Sequence, residues 1–110
     1  MRKTEAILQQ AKQIIGEELA EAGYSVRRIV LFGSRARNEA TPHSEWDFFV
    51  ITDQDLDANR WRKVATRIRR RFVQAGYRGD VFFQSEQVVR QRCTDTGYLA
   101  YYALREGREI

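Results

Sequence analysis

Apolar residues recur along the chain at two different spacings, and each change of spacing marks a new element. Ile7, Leu8, Ala11, Ile14, Ile15, Leu19 and Ala22 form one stripe at helical spacing, which predicts a helix over 4–22. Thr4 reads as its N-cap, Glu5 sits in its first turn, and Gly23 follows its end. Gly16 weakens that helix and reads as a point of close packing. Ile29-Val30-Leu31-Phe32 is then a continuous branched and aromatic run, the pattern of a buried strand. A second run, Trp46-Asp47-Phe48-Phe49-Val50-Ile51 preceded by Glu45, predicts a second strand. Helical spacing returns with Trp61, Val64, Ala65, Ile68, Phe72 and Ala75, giving a helix over 58–75 that Gly76 ends. Residues 77–83 predict a third strand. Ser85 reads as the N-cap of a short segment with Val88 and Val89. A last helix starts near Thr96 and buries Leu99, Ala103 and Tyr102.

The candidate chemistry lies between the first two strands. Gly33-Ser34-Arg35-Ala36-Arg37 puts a small-residue turn at a strand's C-terminal end, with Ser34 leading into a helical turn. Free backbone N–H groups and a hydroxyl converge there, and Gly33 has no side chain to intrude, so the turn suits an anion. The loop from Arg37 to Ser44 holds the only proline, Pro42, and the only histidine, His43, which reads as a solvated polar residue. Glu45 and Asp47 are two apart, so on a strand both side chains leave one face. Two carboxylates on one face repel each other unless a cation sits between them. Asp80 stands in a buried-looking run, Asp80-Val81-Phe82-Phe83, where an isolated carboxylate is expensive and a metal or other cation accounts for it. A phosphate cradle beside a divalent-metal site is what nucleotide chemistry requires.

The stretches Gly33-Ser34-Arg35-Ala36-Arg37 and Ser44-Glu45-Trp46-Asp47-Phe48-Phe49-Val50 resemble the signature of the minimal nucleotidyltransferases of the DNA polymerase β superfamily. That pattern runs Gly-Ser-x-Ala-Arg-Gly, a short loop, then Ser-Asp-x-Asp-aliphatic-x-Val, with a third aspartate on a later strand, where Asp80 is placed. Residues 97–107 resemble the last helix of these proteins, so the likeness covers most of the chain. Asn38 stands where glycine is usual, and Glu45 where the first metal-binding aspartate is usual.

The resemblance implies an α/β (α+β) polymerase-β-like fold, a small mixed sheet flanked by helices. It implies that Glu45, Asp47 and Asp80 bind two Mg²⁺ ions, with Mn²⁺ as a substitute, and that Asp80 lies nearest the incoming hydroxyl. Gly33 and Ser34 would hold the phosphates of ATP or another NTP, and Arg35 or Arg37 would offset developing charge. The reaction it implies is transfer of an NMP, AMP from ATP, to a hydroxyl with release of pyrophosphate. Short members of this family often act as antitoxins that modify a tyrosine of a helical HEPN-type toxin. A second reading is a lapsed enzyme that holds the same partner by contact alone.

Composition narrows this picture without choosing within it. With 110 residues and 43% hydrophobic content, residues 1–110 read as one domain with a modest core. No apolar stretch approaches the roughly 20 residues of a membrane span and no signal-peptide pattern opens the chain, so a cytoplasmic protein is expected. Cys93 is the only cysteine, which excludes an internal disulfide. Net charge is +4 and sixteen of the nineteen basic residues are arginine, which favours polyanionic partners. Arg60, Arg62, Lys63, Arg67, Arg69, Arg70 and Arg71 line the polar faces of the second helix. No aromatic residues interleave with them, so a solvated face or a docking face for an acidic partner ranks ahead of nucleic-acid binding. Self-association is left open. Asp53, Asp55 and Asp57 alternate as in a calcium loop, but the central glycine and distal glutamate of an EF-hand are missing, so helix capping is the expected role.

Overall fold

The computed structural model describes residues 2–37 and 39–110; Asn38, the departure noted above, lies outside them. Helix α1 spans Arg2–Glu21, strand β1 Val26–Phe32, β2 Trp46–Thr52, α2 Ala58–Gln74, β3 Gly79–Ser85, α3 Glu86–Arg92, α4 Leu99–Glu106 and β4 Arg108–Glu109. The four strands form one mixed sheet in the order β3-β2-β1-β4. β1 pairs antiparallel with β2 and with β4, while β2 and β3 run parallel. A parallel pair needs a crossover, and α2 supplies it. The fold is therefore α+β, a small mixed sheet covered by helices on both faces.

Strand alternation divides the core in two. Ile29, Leu31, Trp46, Phe48, Val50 and Val81 face α1 and α2, where they meet Leu8, Ile15, Leu19, Val64, Ile68 and Phe72. Val30, Phe49 and Ile51 face the other way, toward Val89 of α3 and Ala100 and Ala103 of α4. Phe48, Phe49 and Phe72 are among the largest fully buried side chains. Burying each contributes about 1.5–3 kcal/mol relative to exposure. Since residues 47 and 80 alternate with Phe48 and Val81, Asp47 and Asp80 lie on the α3/α4 side of the sheet.

Most predicted elements are present, with shifted bounds. Helix α1 starts at Arg2, so Thr4 lies inside it rather than capping it. A side chain added at Gly16 would meet nothing within 4 Å, so that glycine marks no close packing. Asp57 does cap α2, accepting the Arg60 N–H at 3.0 Å, and Ser85 caps α3 through Val88 N–H at 3.3 Å. Asp53 instead accepts the Ser25 N–H at 2.9 Å and ties the start of β1 to the end of β2.

The last helix differs more. It begins at Leu99, and it buries Ala100 and Ala103, while Leu99 and Tyr102 are exposed. Small residues face the sheet there because α4 lies close against β1. β4 follows directly, and its approach requires Gly107: a Cβ at that position would meet the Leu31 carbonyl oxygen at 2.8 Å. No helix among the described residues is long and apolar enough to cross a membrane.

Candidate active site

The site starts where β1 ends. Gly33 has φ +78°, a left-handed conformation that glycine adopts without strain. Its carbonyl accepts the N–H groups of Ala36 and Arg37 at 3.1 and 3.3 Å, and the Ser34 carbonyl accepts Glu39 N–H at 3.0 Å. This closes a single helical turn over 33–37, as expected after Ser34, and it does not continue into a helix. No described residue accepts the N–H of Ser34 or Arg35, so two successive amides and the Ser34 hydroxyl remain available to an anion.

Asp47 sits directly beneath the turn. β1 and β2 pair Phe32 with Asp47, and a Cβ at Gly33 would lie 2.8 Å from Asp47 Oδ2. Glycine is thus favoured by its backbone angle, and any side chain in its place would have to move the Asp47 carboxylate. Asp47 is half-buried, and its carboxyl is held above the usual aspartate range. Burial is the main cause, and the charges of Glu45 and then Asp80 add to it.

Asp80 is the register partner of Asp47 across the parallel β2–β3 pair, so the two side chains leave the same face on adjacent strands. It is not as deeply buried as its apolar run suggests, but it is partnered by a cation as expected. Arg69 Nη1 lies 3.2 Å from its Oδ1, and the Val81 N–H donates to that same oxygen at 2.8 Å. A cation does compensate Asp80, and it is a guanidinium. Glu45 is exposed and precedes the first residue of β2. No group of three His, Cys, Asp or Glu among the described residues lies close enough to hold a metal ion together. Asp47 and Asp80 are therefore brought side by side, with Glu45 near enough to act on Asp47 but not gathered with both. The donor set still fits a divalent cation. Asp47 and Asp80 leave one face side by side, burial and the charges of Glu45 and Asp80 raise the Asp47 carboxyl, and a positive ion between the pair would relieve that repulsion.

The arginines of the turn contact other groups of the protein. Arg35 donates from Nε and Nη2 to the Ser44 carbonyl at 3.2 and 2.7 Å, and its guanidinium lies 4.3 Å from the centroid of the Trp46 ring. Trp46 belongs to the α1/α2 side of the core, so Arg35 turns away from Asp47 and fastens the two ends of the loop together. Arg37 is exposed, with Glu39 at 3.4 Å and Glu106 at 3.7 Å. His43 is exposed and its N–H reaches Thr41 Oγ1 at 3.3 Å, a loop contact. Two cavities of about 880 and 650 Å³ are both lined by Arg35 and Trp46, and neither includes Gly33, Asp47 or Asp80.

Arg69 is the residue that sequence reasoning missed. It is one of seven basic residues along α2, and nothing in their spacing distinguishes it. Phe32 and Phe82 also lie on this face, packed edge to face with centroids 5.6 Å apart, and form an apolar floor beside the acidic pair.

Comparison with known proteins agrees with this geometry. The family model described as polymerase beta, nucleotidyltransferase matches residues 6–110. No curated protein matches the chain. A glycine turn abutting a carboxylate on β2, an in-register carboxylate on β3, and a match over nearly the whole sequence lead to one conclusion: the chain belongs to the polymerase β nucleotidyltransferase family.

Proposed function

We infer that this chain transfers a nucleoside monophosphate, AMP from ATP, to a hydroxyl on a partner protein. The observation that carries the reading is the contact between the Gly33 turn and Asp47, which sets an anion cradle against a carboxylate with no side chain between them. Asp47, Asp80 and Glu45 would hold Mg²⁺. Bound there, Mg²⁺ would offset the charge of the phosphates and the charge that develops during the displacement. The Ser34 and Arg35 amides and the Ser34 hydroxyl receive the phosphates. Asp80, on the edge strand, takes the proton of the incoming hydroxyl. The acceptor oxygen forms its bond to the α-phosphorus as the bond to the β-phosphate oxygen breaks, and pyrophosphate leaves. Oriented donors and a held hydroxyl supply most of the rate in such transfers.

The acceptor proposed is a tyrosine of a HEPN-type helical toxin, which makes the chain an antitoxin. Support comes from the likeness of the two motifs to short antitoxin members of the family. It also comes from the arginine-rich outer face of α2, where Arg62, Lys63, Arg67 and Arg70 border a shallow groove of about 280 Å³ that lines no acidic residue. The test is co-expression with a candidate helical partner, then ATP labelled on the α-phosphate. Label on the partner that Asp47→Asn abolishes supports transfer. Co-purification without label supports the second reading, a module acting by contact alone.

A further inference from the structure

Three arginines of α2 make defined contacts, and they go to different places. Arg60 reaches the Tyr24 hydroxyl and Asp57, and Arg71 bridges to Glu17 and Glu18 of α1. Both of these hold helix to neighbouring structure. Arg69 instead reaches Asp80, with Thr66 Oγ1 at 3.4 Å from its other terminal nitrogen. α2 packs on the sheet face opposite to Asp47, through Ile68 and Phe72 against Val81. To touch Asp80, Arg69 passes the free edge of the sheet, which is open because β3 is the outermost strand.

The contact divides the Asp80 carboxylate. Oδ1 takes both the Arg69 guanidinium and the Val81 amide, and no described donor reaches Oδ2. One oxygen is therefore tied back, and the other is left for whatever Asp47 and Asp80 share. The geometry points to Arg69 as a resident counter-ion of the metal site. It neutralises Asp80 while no divalent cation is bound, fixes the carboxylate through Oδ1, and weakens the site's affinity for a free divalent cation. This rests on the reading of Asp47 and Asp80 as metal ligands. Its consequence is an order of binding. A bare cation meets a guanidinium beside its ligands, whereas a cation carried by a triphosphate arrives with its positive charge already offset.

Mn²⁺ titration without nucleotide tests this, read by calorimetry and by the rise in melting temperature, on wild type and four variants. Arg69→Gln is expected to bind Mn²⁺ about five- to ten-fold more tightly, the scale of removing one positive charge from near a divalent ion. Its Mn²⁺-induced melting shift should rise accordingly. Arg69→Lys keeps the charge and should stay close to wild type. Arg70→Gln removes the same charge from the same helix without a contact to Asp80 and should change affinity less than about two-fold. Asp47→Asn should lose the binding. Equal or weaker Mn²⁺ binding by Arg69→Gln overturns the counter-ion role, and so does an equal gain in Arg70→Gln. If wild type and Asp47→Asn bind Mn²⁺ alike, the metal-site reading falls, and this proposal with it.

Discussion

The position a Cβ would take on Gly33 lies 2.8 Å from Oδ2 of Asp47, so a side chain there would have to displace the carboxylate. A positive φ at Gly33 makes the exclusion a backbone property as well. Gly33→Ala should therefore destabilise the protein by about 1–3 kcal/mol, the cost of a non-glycine residue held in a sparsely populated conformation. It should also push Asp47 aside and weaken nucleotide binding. Thermal melting and ATP titration check the two effects together. An alanine variant with unchanged melting temperature and affinity would show that the turn has slack.

Asp47 gives a pH and metal dependence of defined sign. Its carboxyl is raised above the ordinary range by burial, then by Glu45 and Asp80, so the fold favours the protonated form. The stability this lends is fully present below the unfolded-chain value of about 3.9 and is lost as pH rises through the raised value. At neutral pH without metal, ionised Asp47 works against the fold. Asp47→Asn should then melt above wild type at pH 7, and the gap should close as pH falls below the ordinary aspartate range. Adding Mg²⁺ should raise the wild-type melting temperature and leave the variant unmoved. A variant that melts below wild type in metal-free buffer at pH 7 would contradict the assignment.

Arg35 should behave as a loop fastener rather than a phosphate ligand. Its two hydrogen bonds to the Ser44 carbonyl and its stacking on Trp46 use the planar fork of the guanidinium. Arg35→Lys keeps the charge but loses that geometry. It should lower stability by about 1–2 kcal/mol, the scale of two charge-assisted hydrogen bonds partly replaced. Salt dependence of nucleotide affinity should match wild type. A large fall in ATP affinity with intact stability would restore Arg35 to the phosphates.

Glu45 is one methylene longer than the aspartate usual at its place in the resembling motif, and it is exposed just ahead of β2. Misplacing a reacting group by about 1 Å can cost on the order of a hundredfold. Glu45→Asp should raise the transfer rate by about ten-fold or more in Mg²⁺, with a smaller gain in Mn²⁺, whose geometry is less strict. Rate assays in each metal decide it. A wild type that matches the variant in Mg²⁺ would mean that the site is built for glutamate.

Much of this site was legible in the sequence, because its main signals are local. Glycine at a strand end, two acidic residues in a short span and an aspartate in an apolar run are each visible without knowledge of the partner strand. The Asp47–Asp80 register is a finding of the structure, since two strand-like runs do not by themselves fix how they pair. What stayed hidden depends on tertiary reach. The two-residue β4 has no periodicity to betray it, and its pairing depends on Gly107 against β1. Leu99 and Tyr102 suggested an apolar face, yet close approach to the sheet selects Ala100 and Ala103. Arg35 and Arg37 looked like phosphate ligands by position, but a long flexible side chain takes the nearest good partner, here Ser44 and Trp46 for Arg35, Glu39 and Glu106 for Arg37. Arg69 meets Asp80 eleven residues away around a sheet edge, which no pattern on α2 records.

ATP titration by calorimetry, with and without Mg²⁺, on wild type and Asp47→Asn, bears most directly on the site. The geometry predicts metal-dependent heat in wild type that the variant largely loses, because the ion must be held beside the Gly33 cradle for the triphosphate to seat. Equal binding by both proteins, or binding that ignores Mg²⁺, would contradict the placement of the nucleotide at Gly33, Ser34 and Asp47.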